Sequence, residues 1–209
     1  MVLLREFLEC DGVHEHVELG SRVGFLALHG GLERGTFEIA REASIRSGAS
    51  LYAVVQPETL RWHVSSADYD PAQSDALAAF LDHVDVIVSV HGYGGLIPSD
   101  DRWTTVLVGG ADRALAARLA AALRGALPEY TFLDELERIP LGLRGVHPDN
   151  PVNRARRGGV QLELPPRVRG YGRWWDERDP EGPAPGTLRP HTEALVVALA
   201  DQARWPVSL

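Results

Sequence analysis

Lysine is absent from this chain: all 21 of its basic residues are arginine. That removes a P-loop, whose lysine reaches nucleotide phosphates, and it removes Schiff-base catalysis. Cysteine occurs once, at Cys10, so no internal disulfide and no cysteine-rich metal site can form. Cys10 lies between Glu9 and Asp11. Acidic neighbours raise a thiol's pKa, which is the wrong direction for a nucleophile. No apolar run approaches the ~20 residues that span a bilayer, so no membrane partner is expected. The opening Met1-Val-Leu-Leu-Arg5-Glu6 brings charge too early for a secretory signal, and the expected location is the cytoplasm. A G-x-S-x-G nucleophile elbow is also missing, although His29-Gly30-Gly31 has the form of an esterase oxyanion loop.

What is present suits one globular unit. At 209 residues a single hydrolase domain over 1–209 is expected, with a core large enough to need no staples. The net charge of -8 speaks against nucleic acid as a partner. Charge is uneven, however. Between Arg144 and Arg178 eight arginines face four acids, a local balance of +4 that leaves the remainder at -12. A basic segment on an acidic protein points to a local anion site.

Strand and helix signals alternate, which predicts an α/β fold. Strands are expected at residues 23–28, 50–55, 84–90, 104–108 and 159–164. Helices are expected at 36–47 with Gly48 as the stop, from Asp70-Pro71 to His83, from the cap Asp112 to Leu127, and at 191–204. The stretch from Pro180 to Pro190, rich in proline and glycine, reads as a loop. Long buried strands joined by helices imply a mixed, largely parallel central sheet with helices on both faces. In such sheets, sites form at the carboxyl ends of strands.

Two of the expected strands end alike, in Leu28-His29-Gly30-Gly31 and Val90-His91-Gly92. Neutral imidazole is the commonest metal ligand, and glycine after it lets a ligand approach the backbone. Glu33 follows His29 by four residues and can complete a set of two histidines and a carboxylate. A catalytic zinc takes three protein ligands and leaves a fourth position for water. Glu38 is the rival third ligand, although a glutamate in the first turn of a helix also simply favours the dipole. A hydrolase of this kind needs a base. In the strand Gly159–Leu164, alternation puts Val160, Leu162 and Leu164 on one face and Gln161 with Glu163 on the other. Glu163 is thus either the base in a buried strand or a solvent-facing residue on an edge. The arginines around this strand, Arg154, Arg156, Arg157, Arg167, Arg169 and Arg173, could grip a substrate carboxylate. His63 could line the site.

Taken together, Leu28-His-Gly-Gly-Leu-Glu-Arg-Gly-Thr36 with Glu38-Ile-Ala40, Ser89-Val-His-Gly92, Val108-Gly-Gly-Ala-Asp112, Asn150-Pro-Val-Asn153 and Gly158-Gly-Val-Gln-Leu-Glu-Leu164 resemble the poly-γ-glutamate hydrolase family. That family is a zinc-peptidase group related in fold to the M14 carboxypeptidases. The resemblance implies a zinc carboxypeptidase-like fold, Zn2+ on His29, Glu33 and His91, and Glu163 as general base. It also implies substrate contacts around Asn153 and Arg154, to which Arg157 and His63 are added as candidates. The spacing from His29 to Glu33 is one residue shorter than the family's, which keeps Glu38 open as a ligand.

The expected activity is zinc-dependent hydrolysis of a γ-glutamyl or other acidic, peptide-like amide. Two alternatives stand beside it. One is a small-molecule N-acyl amino acid deacylase on the same scaffold. The other is a metal-free anion-binding module.

Overall fold

The computed structural model describes residues 3–94, 103–170 and 188–204. Seven strands form one sheet in the order β1-β3-β2-β4-β7-β5-β6. They are β1 (His14–Glu18), β2 (Val23–Gly30), β3 (Ser50–Val55), β4 (Val86–Gly92), β5 (Thr105–Val108), β6 (Thr131–Leu133) and β7 (Gly159–Leu164). The central run β3-β2-β4-β7 is parallel. The margins reverse: β1 is antiparallel to β3, and β5 is antiparallel to β7 while parallel to β6. The sheet is therefore mixed, with a parallel centre.

Alternation along each strand divides the core. Phe25, Ala27, Val88, Val90, Val160 and Leu162 pack on one face against α2 (Thr36–Ser47), α4 (Arg113–Ala126) and α5 (Pro190–Ala203). Leu26, Leu28 and Ile87 pack on the other against α1 (Leu4–Leu8) and α3 (Asp75–His83). Helices thus cover both faces, and the central strands, dry on both sides, read as continuous apolar runs.

Local chemistry sets the element ends. Gly48 closes α2 with φ 70, a left-handed conformation that only glycine adopts cheaply. The Asp112 side chain accepts the Leu115 N–H at 2.9 Å and starts α4. The helix expected from Asp70 is interrupted. Asp70 caps only a 3-10 turn, Pro71–Gln73, and Ser74 in extended conformation is the true cap of α3. Strand β4 begins at Val86 rather than residue 84, because the Val84 N–H still bonds to Phe80 O and closes α3. The proline-rich stretch lies mostly outside the described residues, and Pro190 opens α5 at a position where its missing N–H costs nothing.

Candidate metal centre

The ends of β2, β4 and β7 lie side by side. The register pairs His91 with Glu163 and Gly92 with Leu164. After β2 the chain turns sharply: the Glu33 N–H bonds to His29 O at 2.8 Å. This single helical turn, not continued, carries the Glu33 carboxylate back over the His29 ring. Gly31 makes the turn possible, with φ 81 and so little room that a Cβ would lie 1.9 Å from Gln56 O.

Three donors converge. Glu33 Oε1 lies 2.8 Å from His29 Nδ1, and Glu33 Oε2 lies 3.4 Å from His91 Nδ1. The two Nδ1 atoms are 3.2 Å apart. On the far side of its ring, His29 Nε2 meets Val64 O at 2.9 Å. A carbonyl only accepts, so Nε2 carries the hydrogen and Nδ1 of the neutral ring presents its lone pair to the cluster. Two imidazole nitrogens and a carboxylate within 2.8–3.4 Å of one another are a donor set of the kind that holds a divalent cation such as zinc. The residues present fit such an ion.

Electrostatics support the same arrangement. Burial opposes charge on His29, but the adjacent Glu33 carboxylate overrides it and the pKa is raised. Burial would raise the Glu33 pKa, yet His29 and His91 hold it well below the usual carboxylate range. His91 is lowered, chiefly by burial, and stays neutral. The ionised Glu33 carboxylate and the neutral His91 ring are in the states that bind a cation, whereas His29, whose proton Glu33 favours, would release that proton to an ion.

His63 stands next to the cluster, its ring 4.6 Å from that of His29. Ligating atoms of His29, Glu33 and His63 fall within 4.8 Å of one another, so His63 competes with His91 as the second imidazole. We favour His91 because it is buried and its Nδ1 lies 3.2 Å from His29 Nδ1, whereas His63 is exposed at the rim. The loop bearing His63 is clamped by Gln56, whose amide donates to Trp62 O at 2.6 Å and accepts Trp62 N–H at 2.8 Å. Glu38 is exposed on the first turn of α2, and the structure does not bring it to the histidines.

A cleft of about 570 Å³ opens over the cluster, and Glu163, Gln161, Asn150, His63 and His147 line it. Glu163 is only 3% exposed. Strand β7 is central, not an edge, so this glutamate faces the cleft and not bulk water. Burial, and then repulsion from Glu33, push its pKa well above the ordinary value. A hydrogen bond from Gln161 and the charge of Arg169 work the other way.

The remaining expected residues are dispersed. Asn153 does not face the cleft. Its amide donates to Gly145 O at 2.7 Å and His147 O at 2.9 Å and accepts the Ala111 N–H at 3.0 Å, so it fastens the loop that forms the cleft wall. Arg154 is exposed and lines a neighbouring cavity of about 380 Å³ with Asp68, Asp70 and Asp149. Arg157 is held through its backbone. Its N–H bonds to Asp85 O, just before β4, at the amino end of the sheet and opposite the metal cluster. Arg173 lies outside the described residues. Arg169 is the arginine drawn inward. It is 4% exposed and donates to Arg34 O at 2.6 Å and to Tyr93 O at 3.3 Å. A Cβ on Gly92 would lie 2.6 Å from its guanidinium carbon, so that glycine makes room for the arginine. Sequence reasoning passed over Asn150 as a site residue, since Asn-Pro reads first as a turn signal.

Residues 9–172 match the sequence model described as Poly-gamma-glutamate hydrolase. The SPbeta prophage-derived UPF0714 protein YoqZ of Bacillus subtilis (strain 168) is 35% identical over 150 residues, which is 70% of this chain and 50% of that protein. The UPF0714 protein YndL of the same organism is 33% identical over 150 residues, 70% of this chain and 54% of its own. The chain thus spans about half the length of the curated relatives it matches. Among solved structures, a bacteriophage poly-gamma-glutamate hydrolase superposes with a TM-score of 0.71 at 23% identity, covering 91% of this chain and 87% of that one. YNDL-apo (zinc-free) gives 0.69 at 24% identity, covering 91% and 89%. These two likenesses show a shared fold.

Proposed function

This chain belongs to the poly-gamma-glutamate hydrolase family, and from that membership we propose that it is a zinc-dependent hydrolase of γ-glutamyl or similarly acidic amide bonds. The observation that carries the reading is the convergence of His29 Nδ1, His91 Nδ1 and the Glu33 carboxylate within 2.8–3.4 Å of one another. These three residues would hold the ion, with His63 beside them at the open side. A bound zinc supplies Lewis acidity, which polarises a carbonyl and makes a nearby water more acidic.

The chain's own groups do the rest. Glu163, on the adjoining strand, takes the proton from the attacking water as its oxygen bonds to the amide carbon. When the C–N bond breaks, Glu163 returns that proton to the departing amine nitrogen. Burial raises the Glu163 pKa, which makes its carboxylate a better acceptor of the water's proton. Among the described residues no arginine lines the cleft, so the first contacts to a substrate carboxylate fall to His63 and His147. Arg154 in the adjoining cavity would reach a more distant carboxylate of a polymer.

The test is hydrolysis by the zinc-loaded protein of poly-γ-glutamate, short γ-glutamyl peptides and N-acyl amino acids, with the products resolved by mass. Cleavage of the γ-linked chains is expected. Preference for N-acyl amino acids would identify a deacylase on the same scaffold, and no hydrolysis of any amide would refute the proposal.

A further inference from the structure

We propose that Asn150 and Gln161 form a polarised amide relay that fixes which oxygen of Glu163 accepts the proton. This positioning role rests on the reading of Glu163 as the base.

The relay begins at a group that can only donate. The Val152 N–H bonds to Asn150 Oδ1 at 3.3 Å. That leaves Asn150 Nδ2 to donate to Gln161 Oε1 at 2.9 Å. With its oxygen engaged, Gln161 turns Nε2 to Glu163 Oε1 at 2.8 Å. Asn150, Gln161 and Glu163 are each no more than 4% exposed. Amide oxygen and nitrogen have the same shape, so only the network decides their placement. Here one end of the network is committed, because the Val152 N–H can only donate, and at the other end Glu163 offers the Gln161 amide an acceptor oxygen. One polarity satisfies every link.

The backbone also presses the relay into place. A Cβ on Gly145 would lie 2.6 Å from Gln161 Cδ, so the amide plane is confined by the loop that Asn153 anchors. Because Gln161 occupies Oε1, Glu163 Oε2 is the oxygen left toward the cleft. Asn150 touches no reacting atom, yet it determines that Gln161 meets Glu163 as a donor.

Substitutions that reverse the polarity test this. Asn150→Asp replaces the donor with an acceptor of the same shape. Gln161 must then turn its NH2 toward position 150 and its oxygen toward Glu163, which can keep that contact only as the protonated acid. Expected in the zinc-loaded protein is a kcat loss of about a hundredfold, KM within about twofold and full zinc content. Asn150→Ala imposes no reversed polarity, so its loss should be under about tenfold. Gln161→Met, which removes the misaligned amide, should restore part of the activity lost in Asn150→Asp, a non-additivity expected of groups in one network. A purely structural role gives the opposite ranking, with alanine worse than aspartate and additive losses, and that result would overturn the relay.

A readout independent of hydrolysis separates this proposal from the functional one. In the zinc-free protein, the Gln161 side-chain NH2 protons should exchange slowly by ¹⁵N NMR and shift in Glu163→Gln. Freely exchanging protons in the folded wild type would refute the relay whatever the enzyme cleaves. Protected protons without any hydrolysis would refute the function and leave the relay standing. If Asn150→Asp does not fold, Asn150→Ala, Gln161→Met and the NMR measurement carry the test.

Discussion

Glu33 and Gly92 are joined by a hydrogen bond: the Gly92 N–H donates to Glu33 Oε2 at 2.9 Å. The same carboxylate reaches His29 through Oε1, so one side chain ties the end of β2 to the end of β4. Glutamine at this position keeps the volume and loses the charge. Glu33→Gln should weaken zinc binding by about two orders of magnitude or more, as loss of a ligand that also orients another requires. Glu38→Gln should leave it unchanged. The two zinc dissociation constants, measured by competition with a chelating dye, decide the matter. A stronger effect at Glu38 would exclude Glu33 as a ligand.

About one zinc per chain is expected after purification without added metal, and His29→Ala or His91→Ala should abolish it. His63→Ala should retain the ion and alter KM. Elemental analysis of the three variants distinguishes the buried imidazole pair from the rim. Zinc lost in His63→Ala and kept in His91→Ala would exchange their assignments.

Glu163→Gln removes the proton acceptor while keeping the shape. Zinc content should hold, and kcat should fall by about a hundred- to ten-thousandfold with little change in KM. Joint loss of zinc and activity would make Glu163 a ligand instead of the base.

The raised Glu163 pKa also makes a prediction about stability. Its ordinary value is 4.5, and the folded value lies well above that. The native state therefore holds this proton more tightly than the unfolded chain. The group's contribution to stability is fully present below about 4.5 and is lost as pH rises through the folded pKa. In zinc-free protein, Glu163→Gln should raise the melting temperature at pH 7 and make no difference near pH 4. Equal shifts at both pH values would show that the carboxyl is not held neutral by its surroundings.

Two arginines three residues apart should behave differently. Arg154 borders the cavity beside the cleft, so Arg154→Ala should raise KM for long γ-glutamyl chains more than for dimers. Arg157 stands at the other end of the sheet, and Arg157→Ala should change neither constant by more than about twofold, as for a surface substitution. Steady-state kinetics on both substrate lengths will show whether the expected split occurs.

Elements whose causes are local could be read directly from the sequence. Residues 36–47 and 50–55 stand where periodicity and Gly48 placed them, because capping and apolar runs act within a few residues. Alternation in 159–164 likewise told which side chains share the face of Glu163. The short edge strands β1 and β6 escaped notice: β1 reads His-Glu-His-Val-Glu, and an exposed edge has no dry face to mark it. The two strand-end histidines were visible as a pair, since matching His-Gly endings need no knowledge of strand order. Whether Glu33 or Glu38 joins them was not, because the answer lies in one turn closed by a backbone hydrogen bond. Nor could composition say that the basic segment is split between the two ends of the sheet. Neighbours in sequence at Arg154 and Arg157 differ in surroundings: Arg154 lines a cavity with Asp68, Asp70 and Asp149, and the Arg157 backbone is held by Asp85 just before β4. The amino acids of the chain determined which chemistry is available to this protein. Only the tertiary structure decided which of those groups meet, since β2, β4 and β7 are distant in sequence and become neighbours through the parallel crossovers of the sheet.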